Sequence, residues 1–228
     1  MATFPLSSSP LDALPTARTL AAPAGGSPRP DLPEGLLVEI SGAGAGARLS
    51  AAASAVLRAQ REGETTAWIE PVPAGQAFPS AGPSAGVGGS LYPPDLAEGG
   101  VDLEALPVIR VPASAGEAGP FRAAELLLRS GAFGLVVLDL RSGRQRIPAA
   151  WPGRLLGSAR EHQARVLFLT GKGEDSESVG SLVALRLEPR RLRIRPGLFV
   201  VESRILKNKP GLSLVTEAER RRGPWGLT

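Results

Sequence analysis

The chain has 228 residues, no cysteine, one histidine and a formal net charge of +4 at pH 7. This length fits one domain with a sizeable core, and the absence of cysteine excludes disulfides and cysteine metal sites and suits a cytoplasmic location. The lone His162, expected as an exposed helix residue, leaves little room for a histidine metal site, and no apolar run reaches the ~18 residues of a membrane span.

Composition divides the chain into three parts. Residues 1–30 are rich in Ser, Pro and Ala and predict a flexible N-terminal segment. Residues 31–216 predict a folded core, within which residues 71–90 hold five Gly and four Pro and predict a mobile loop. Residues 217–228 predict a basic C-terminal tail without regular structure, because three arginines and the Gly and Pro around Trp225 oppose a packed element.

The first part of the core alternates apolar runs with helix patterns. We predict strands at Leu36–Ile40, Thr66–Ile69, Pro107–Val111, Leu135–Leu140 and Val166–Thr170. We predict helices at Ser50–Gln60, Pro120–Leu128 and Arg154–Gln163. This alternation indicates an α/β fold, with a mainly parallel sheet flanked by helices.

The pattern changes after residue 180. Short strands are predicted at Ser181–Glu188, Arg191–Arg195, Leu198–Lys207 and Leu212–Thr216. Pro189, Pro196-Gly197 and Pro210-Gly211 separate these runs. We therefore expect a C-terminal antiparallel meander joined to the parallel part of the sheet.

Residues 35–60 have the layout of a phosphate-binding strand, loop and helix, but the reactive residues are missing. A P-loop ends in Gly-Lys-Ser/Thr, which supplies backbone N–H groups, a cation and a hydroxyl that holds Mg²⁺. At those three positions the chain has Ala47, Arg48 and Leu49. Arg48 keeps the charge in a bulkier planar group, whereas Leu49 cannot bind a metal. We therefore expect no nucleotide cofactor and no metal.

Several segments, in order, resemble the nucleotide-binding core of the bacterial recombinase RecA. They are Val38–Gln60, Thr66–Glu70, Leu91–Leu96, Gly100–Asp102, Ala123–Asp139, Val166–Leu169 and Leu206–Lys209. Among RecA-like proteins, a short and degenerate version of this kind is similar to the ImuA family, the accessory proteins of the bacterial translesion mutagenesis cassette. The resemblance implies a RecA-like core.

The resemblance also implies roles for individual residues. Tyr92 matches a base-stacking tyrosine, and Asp139 matches the Walker B aspartate that orients Mg²⁺ through water. The catalytic glutamate falls on Val72, which cannot activate water. Lys207 and Lys209 match a pair that, in RecA filaments, reaches the nucleotide of the neighbouring subunit. The implied protein is not an enzyme, and its degenerate nucleotide site consists of Gly42, Ala47, Arg48, Leu49, Tyr92 and Asp139.

Membership of the ImuA family implies a function in DNA-damage-induced (SOS) mutagenesis. The implied partners are RecA, the Y-family-like protein ImuB and, through ImuB, an error-prone polymerase and the sliding clamp. RecA polymerises through an N-terminal helix and strand, whereas Met1–Pro30 is broken by prolines, so we expect a monomer that limits RecA filaments. The short loop Gly171–Gly180 carries three acids against Lys172, which disfavours RecA-type DNA binding.

A second hypothesis is a basic module that binds single-stranded DNA. Residues 185–228 hold 11 Lys and Arg against 4 Asp and Glu, and phosphate binding by such a stretch falls steeply with salt. The candidate residues for nucleic-acid or partner contact are Arg190, Arg191, Arg193, Arg195, Lys207, Lys209, Arg220, Arg221, Arg222 and Trp225. We expect the tail with Trp225 to contact ImuB, since Trp and Arg are frequent interface anchors.

A third hypothesis is a dinucleotide-binding oxidoreductase. Gly42, Gly44 and Ala47 satisfy the pattern G-x-G-x-x-G/A between a predicted strand and a predicted helix. Glu70 ends the next strand, roughly where an acid that binds ribose belongs. The RecA-like order of the later segments and the antiparallel meander disfavour this hypothesis.

Overall fold

The computed structural model describes residues 32–43, 47–72, 91–141, 147–195, 198–212 and 219–222. The predicted flexible segment 1–30 and nearly all of the predicted loop 71–90 lie outside these ranges. In chain order the elements are β1 (Leu37–Ile40), α1 (Arg48–Arg61), β2 (Thr66–Val72), α2 (Pro93–Glu98), β3 (Val108–Pro112), α3 (Gly119–Arg129), β4 (Leu135–Asp139), α4 (Trp151–Glu161), β5 (Arg165–Leu169), β6 (Leu185–Arg195), β7 (Leu198–Asn208) and β8 (Glu219–Arg222).

The strands form one sheet in the order β3-β2-β4-β5-β1-β6-β7-β8. The ladders that join β3, β2, β4, β5, β1 and β6 are all parallel. The ladders between β6 and β7 and between β7 and β8 are antiparallel. This arrangement confirms the predicted α/β fold with a mainly parallel sheet and a C-terminal antiparallel meander.

Helices cover both faces of the parallel part, and alternate residues of each strand therefore enter different apolar clusters. Val136 and Leu138 of β4 pack in the cluster that contains Leu128 of α3. Val137, between them, packs in the cluster that contains Val56 of α1. Burial on both faces explains why the central strands are nearly continuous apolar runs.

The predicted helices are present, with shifted ends. α4 begins at Trp151, three residues earlier than predicted, because Pro152 suits the first helical turn. His162 is half-buried and follows the last residue of α4, rather than lying exposed within it. The six-residue helix α2 was not predicted. None of the helices in the described ranges combines the length and apolar character that a membrane crossing requires.

β6 is one strand of eleven residues, so the prediction of two strands separated by Pro189 was wrong. Pro189 lies opposite Ser203 of β7, in the part of the ladder whose register is continuous from Leu187 to Arg193. The Leu187 carbonyl accepts a hydrogen bond from the Ser41 N–H at 2.9 Å, on the β1 side of the strand. The two-residue period places the nitrogen of Pro189 on that same side, beyond the last β1 partner, so the proline interrupts no described ladder bond.

The C-terminal tail contains a strand, so the prediction of no regular structure was wrong for residues 219–222. β8 pairs antiparallel with Leu198–Val201 of β7. A β7 edge offers backbone donors and acceptors to any extended segment, and an arginine run without apolar periodicity can satisfy them. The predicted strand Leu212–Thr216 is not formed at Leu212, and its remaining residues lie outside the described ranges, as does Trp225.

Candidate functional site at the carboxyl ends of the central strands

The strands β4, β5 and β1 are neighbours in the sheet, and their carboxyl ends lie at one edge. Ligands of open α/β sheets bind outside this edge. Two buried carboxylates lie at it, since Asp139 ends β4 and Glu39 precedes the last residue of β1. The first residue of α1, Arg48, adds a buried cation to the same region.

Asp139 is held by an arginine two residues further along the chain. Its Oδ1 accepts hydrogen bonds from the backbone N–H of Arg141 at 3.1 Å and from Arg141 Nε at 2.9 Å. Its Oδ2 accepts from Arg141 Nη2 at 2.7 Å. The Asp139 side chain is 3% exposed and that of Arg141 is 21% exposed. The Asp139 carboxylate therefore forms a bidentate ion pair with an arginine of its own chain.

Arg48 brings a second guanidinium to Asp139. Its side chain folds beside the loop after β1, where a Cβ on Gly42 would lie 3.7 Å from Arg48 Cδ. Its Nη1 donates a hydrogen bond to the Thr170 carbonyl at 3.3 Å. Burial lowers the pKa of Arg48, the positive charge of Arg141 lowers it further, and Asp139 partly offsets both effects. We name Arg48, Asp139 and Arg141 the Arg–Asp–Arg triad.

The other residues expected at a degenerate nucleotide site contribute no ligand for a metal ion. Ala47 is buried, and Leu49 is partly buried against the apolar cluster on the α1 side. Val72 ends β2 and is half-buried. Among the described residues, no three His, Cys, Asp or Glu side chains group closely enough to hold a metal ion.

Tyr92, predicted to match a base-stacking residue, immediately precedes α2 and is 64% exposed. α2 lies on the α1 side of the sheet, because Leu96 packs in the same apolar cluster as Val56. With this exposure, the tyrosine does not belong to the core. Within the described part of the chain, no hydrogen bond or ring contact joins Tyr92 to the Arg–Asp–Arg triad.

The elements expected of a dinucleotide site are not brought together. In dinucleotide-binding domains the second strand lies next to the first. Here β4 and β5 lie between β1 and β2, so Glu70 is three strand positions from the loop after β1. The Glu70 carboxylate also accepts a hydrogen bond from Arg110 Nε of β3 at 2.7 Å. Gly44 lies outside the described residues.

Sequence reasoning missed Glu39, which is fully buried in the middle of the sheet. Its Oε1 accepts a hydrogen bond from Thr170 Oγ1 at 2.8 Å. Its Oε2 accepts from Ser178 Oγ at 2.7 Å and from the Val179 N–H at 3.1 Å. The signal was an acid within the apolar run of residues 36–40, because a charge buried on both faces of a sheet requires partners.

Arg186 of β6 completes this network and was also missed. Its Nε lies 3.8 Å from Glu39 Oε2 and donates a hydrogen bond to Ser41 Oγ at 2.9 Å. Its Nη2 donates to the Gly173 carbonyl at 2.6 Å, and its Nη1 donates to the Ser176 carbonyl. We name these contacts the Glu39–Arg186 network. They fix the loop of residues 171–180, which the sequence identified only as short and acidic.

The acidic loop lies beside the base of β6 and β7. Glu174 accepts a hydrogen bond from Arg190 Nη2 at 3.0 Å and another from Arg204. The loop lines one side of a cleft of about 480 Å³, whose other side carries Arg186, Arg204 and Lys207. Glu188 also binds Arg190, and this hydrogen bond raises the pKa of the Arg190 guanidinium. Arg190 is thus balanced by two acids.

The other basic candidates occupy different surroundings. Arg191 lies over the ring of Phe199 at 4.9 Å, and Arg193 is exposed. Lys209 Nζ donates a hydrogen bond to the Ser181 carbonyl at 2.6 Å. Burial lowers the pKa of Lys207, the neighbouring charges of Lys209 and Arg186 lower it further, and Glu39 opposes them. The remaining candidates lie on β6 and β8 or beyond the described residues: Arg195, Arg220, Arg221, Arg222 and Trp225.

No protein-family model matches this chain, and neither does any curated protein. The geometry described above and the RecA-like segments of the sequence are therefore the two grounds for a functional proposal. They bear on different questions, since the geometry concerns chemistry at one edge of the sheet and the segments concern partners.

Proposed function

We propose that this chain is a non-catalytic RecA-like protein of the ImuA family that acts in DNA-damage-induced mutagenesis. It binds RecA, limits RecA filaments and recombination, and supports an error-prone polymerase complex together with ImuB. The observation that carries the proposal is the Arg–Asp–Arg triad, which fills the position of a nucleotide-binding site with protein charges.

The triad opposes ATP hydrolysis for a chemical reason. Mg²⁺ requires oxygen ligands in nearly ideal octahedral geometry, and both oxygens of Asp139 already accept hydrogen bonds from Arg141. A metal would have to displace a bidentate arginine, and Leu49 offers no hydroxyl in compensation. Val72 offers no base for the attacking water. A phosphate group could meet Arg48 without being activated for transfer.

The order of the elements supports the RecA-like part of the proposal. Strands and helices alternate up to β5 and then give way to an antiparallel meander, which is the plan expected from the RecA-like segments. A protein with this core docks on RecA through surfaces that resemble those of RecA itself. Because its own site holds the triad in place of a nucleotide, it does not propagate a filament that depends on nucleotide between subunits.

The partners follow from the same proposal. RecA meets the folded core, whereas ImuB meets the basic C-terminal part and links the protein to the error-prone polymerase and the sliding clamp. All of these partners act on DNA in the cytoplasm, which agrees with a cysteine-free chain. The protein itself acts as a monomer that occupies a partner's surface.

RecA filament assembly on single-stranded DNA tests the proposal. Adding the purified chain at about 10 μM, which detects weak complexes, should slow assembly measured by light scattering, and calorimetry should detect binding to RecA and to ImuB. ATP turnover by the chain alone should equal that of a sample without protein. Absence of binding to both partners, or turnover that is lost in Asp139→Ala, would contradict the proposal.

The exposed arginines of β6 favour a second candidate function, a module that binds single-stranded DNA. Among the described residues, Arg191 and Arg193 form no salt bridge, whereas Arg190 pairs with Glu174 and Glu188. Phosphate contacts release counterions, so affinity for a labelled oligonucleotide should fall steeply as salt rises. Tight binding at high salt, or binding unchanged by neutralising both arginines, would exclude this candidate.

A further inference from the structure

β6 and β7 continue together beyond the rest of the sheet. β6 pairs with β1 only over Leu185–Leu187, whereas its ladder with β7 extends to Arg195. We name residues 188–195 of β6 and 198–204 of β7 the β-arm. Among the described strands, β6 has β7 as its sole partner along the β-arm. One edge of the β-arm is therefore a strand edge without a described neighbour.

The backbone groups at this edge follow from the two-residue period of a strand. Leu187 directs its carbonyl to the β1 side, where it accepts from the Ser41 N–H. Pro189, Arg191 and Arg193 direct their backbone groups to the same side. Pro189 has no N–H, so the two arginines present the donors. Regularly spaced N–H and C=O groups at a sheet edge can pair with an added strand.

The two faces of the β-arm differ in chemistry. Leu192 is 50% exposed and lies opposite Val200. Arg190 shares the face of Leu192, and its charge is balanced by Glu174 and Glu188. Arg191 and Arg193 alternate with these two residues and therefore lie on the other face. Ile194, 54% exposed, falls at the register shift between Arg193 and Arg195. A strand added at this edge would meet Leu192 on one face and the guanidinium groups of Arg191 and Arg193 on the other. Its complement alternates acidic with apolar residues.

A second copy of the chain does not fit this edge. Antiparallel addition of one β-arm to another would place Arg191 and Arg193 of both copies opposite each other, and like charges in directly opposed positions are destabilising. Pro189 removes a further donor from such a pairing. Both features are common means by which proteins prevent pairing of their own sheet edges.

Nucleic acid fits the edge less well than an acidic peptide does. Phosphates would engage the arginine side chains and leave the backbone groups and the exposed Leu192 and Ile194 without a role. A peptide that alternates acidic with apolar residues engages the arginine side chains, the backbone groups and Leu192 together.

We propose that the edge of β6 from Pro189 to Arg193 binds an extended segment of a partner protein as an additional β-strand. In this segment, acidic residues face Arg191 and Arg193, and the apolar residue between them faces Leu192. The site is separate from the Arg–Asp–Arg triad and requires no nucleotide. It goes beyond the proposed function, because it specifies the chemistry of the partner segment whatever protein carries that segment.

The test uses the full chain and synthetic eight-residue peptides. One peptide alternates Glu and Val, and the matched control has the same composition with its four Glu followed by its four Val. The alternating peptide should bind at least ten-fold more tightly in calorimetry. On binding, the Arg191 and Arg193 amides should become protected from hydrogen exchange, whereas the Leu192 amide, which faces β7, should change little. Equal binding of the two peptides, or no binding, would overturn the proposal.

A pair of variants separates the backbone contribution from the charge. Arg193→Gln removes the charge and keeps the N–H, whereas Arg193→Pro also removes the N–H at the free edge and leaves the bonds to β7 intact. Arg193→Pro should bind the alternating peptide about five-fold more weakly than Arg193→Gln, the equivalent of one hydrogen bond. Thermal unfolding shows whether both variants fold. Equal affinities of two folded variants would rule out strand addition.

A single-stranded oligonucleotide provides the remaining arm of the test. If it binds and the alternating peptide does not, the arginines serve nucleic acid and the proposed peptide site is wrong. Binding to RecA and to ImuB is measured separately with the same variants. If the parent chain binds RecA but not the alternating peptide, the edge site alone is rejected. If it binds the peptide but neither RecA nor ImuB, the proposed function alone is rejected.

Discussion

Two buried carboxylates at the same edge of the sheet are bound by partners that lie at very different distances along the chain. Asp139 is bound by Arg141, which is two residues away in sequence. Glu39 is bound by Thr170 and Val179, which are 131 and 140 residues away. The first pair is local in sequence. The second joins distant segments and therefore maintains the fold.

Solvent exposure reinforces this difference. The Arg141 side chain is 21% exposed, so it can leave Asp139 and be hydrated without disturbing the sheet. The Arg186 side chain is 5% exposed, and Glu39 has no exposed surface at all. Removing one partner from a buried pair leaves a charge without compensation, whereas a partly exposed partner recovers water. Three sets of variants test this comparison, from the largest expected effect to the smallest.

Glu39→Gln should have the largest effect. The amide keeps the size of the side chain, but Arg186 loses its counter-ion and the donors of Ser178 and Val179 meet a weaker acceptor. Breaking a buried pair of this kind costs about 3–5 kcal/mol of the free energy of unfolding. Urea denaturation provides the measurement.

The matched control is Glu34→Gln, because Glu34 is 46% exposed and lies 3.6 Å from Arg165. An exposed ion pair contributes about 0–1 kcal/mol, so this variant should be nearly neutral. A loss below about 1 kcal/mol in Glu39→Gln would show that Glu39 does not maintain the fold.

Asp139→Asn should have an intermediate effect of about 1–2 kcal/mol, because it leaves Arg48 and Arg141 close together without a carboxylate while Arg141 can turn towards solvent. Arg141→Gln should cost less, since Arg48 remains to balance Asp139. Urea denaturation of both variants beside Glu39→Gln measures the order. If Asp139→Asn destabilised the protein as much as Glu39→Gln, the triad would be part of the structural framework.

Lys207→Met should have the smallest effect and should be stabilising by less than about 1 kcal/mol. Burial lowers the pKa of Lys207 from its ordinary 10.5, so the folded state disfavours the charged amine at neutral pH. The penalty is fully present below the lowered pKa and disappears as pH rises towards 10.5, where the unfolded chain also loses the proton. The stability difference between variant and parent should therefore narrow at alkaline pH.

Lys209→Met is the control for this variant, because Lys209 is exposed and its Nζ donates to the Ser181 carbonyl. Thermal unfolding of the parent and of both variants at several pH values provides the measurement. A Lys207→Met variant that is clearly less stable than the parent would mean that the amine makes a favourable contact stronger than its 3.5 Å approach to the Gly180 carbonyl.

The central fold could be predicted because continuous apolar runs such as those around Val38 and Val137 leave few alternatives to buried parallel strands. The strand break at Pro189 was wrongly predicted because sequence does not reveal which side of a strand lacks a neighbour. β8 was missed because its residues show no apolar period, and its position depends on the β7 backbone. For Pro189 and for β8, the backbone groups that are unpaired at a strand edge determined the structure, rather than the local propensity of the residues.

The candidate site was predictable only in part. Arg48 and Asp139, which the P-loop pattern and the strand end singled out, lie in one region of the structure. The role of Arg141 was not foreseen, because a charged residue just after a strand resembles an ordinary loop residue. Glu39 and Arg186 could each be recognised as an unusual charge in a strand, but their pairing depends on the order of strands in the sheet, which no local pattern contains.

The place of β1 in the sheet also affects how the protein is made. Its two neighbours, β5 and β6, begin at Arg165 and Leu185, so β1 leaves the ribosome long before either of them. At the usual rates of synthesis the delay is on the order of ten seconds, during which an apolar strand has no partner. An ionised Glu39 in the middle of that strand opposes aggregation of the nascent chain. Glu39, which is buried in the folded core, thus first limits aggregation of the incomplete chain during synthesis.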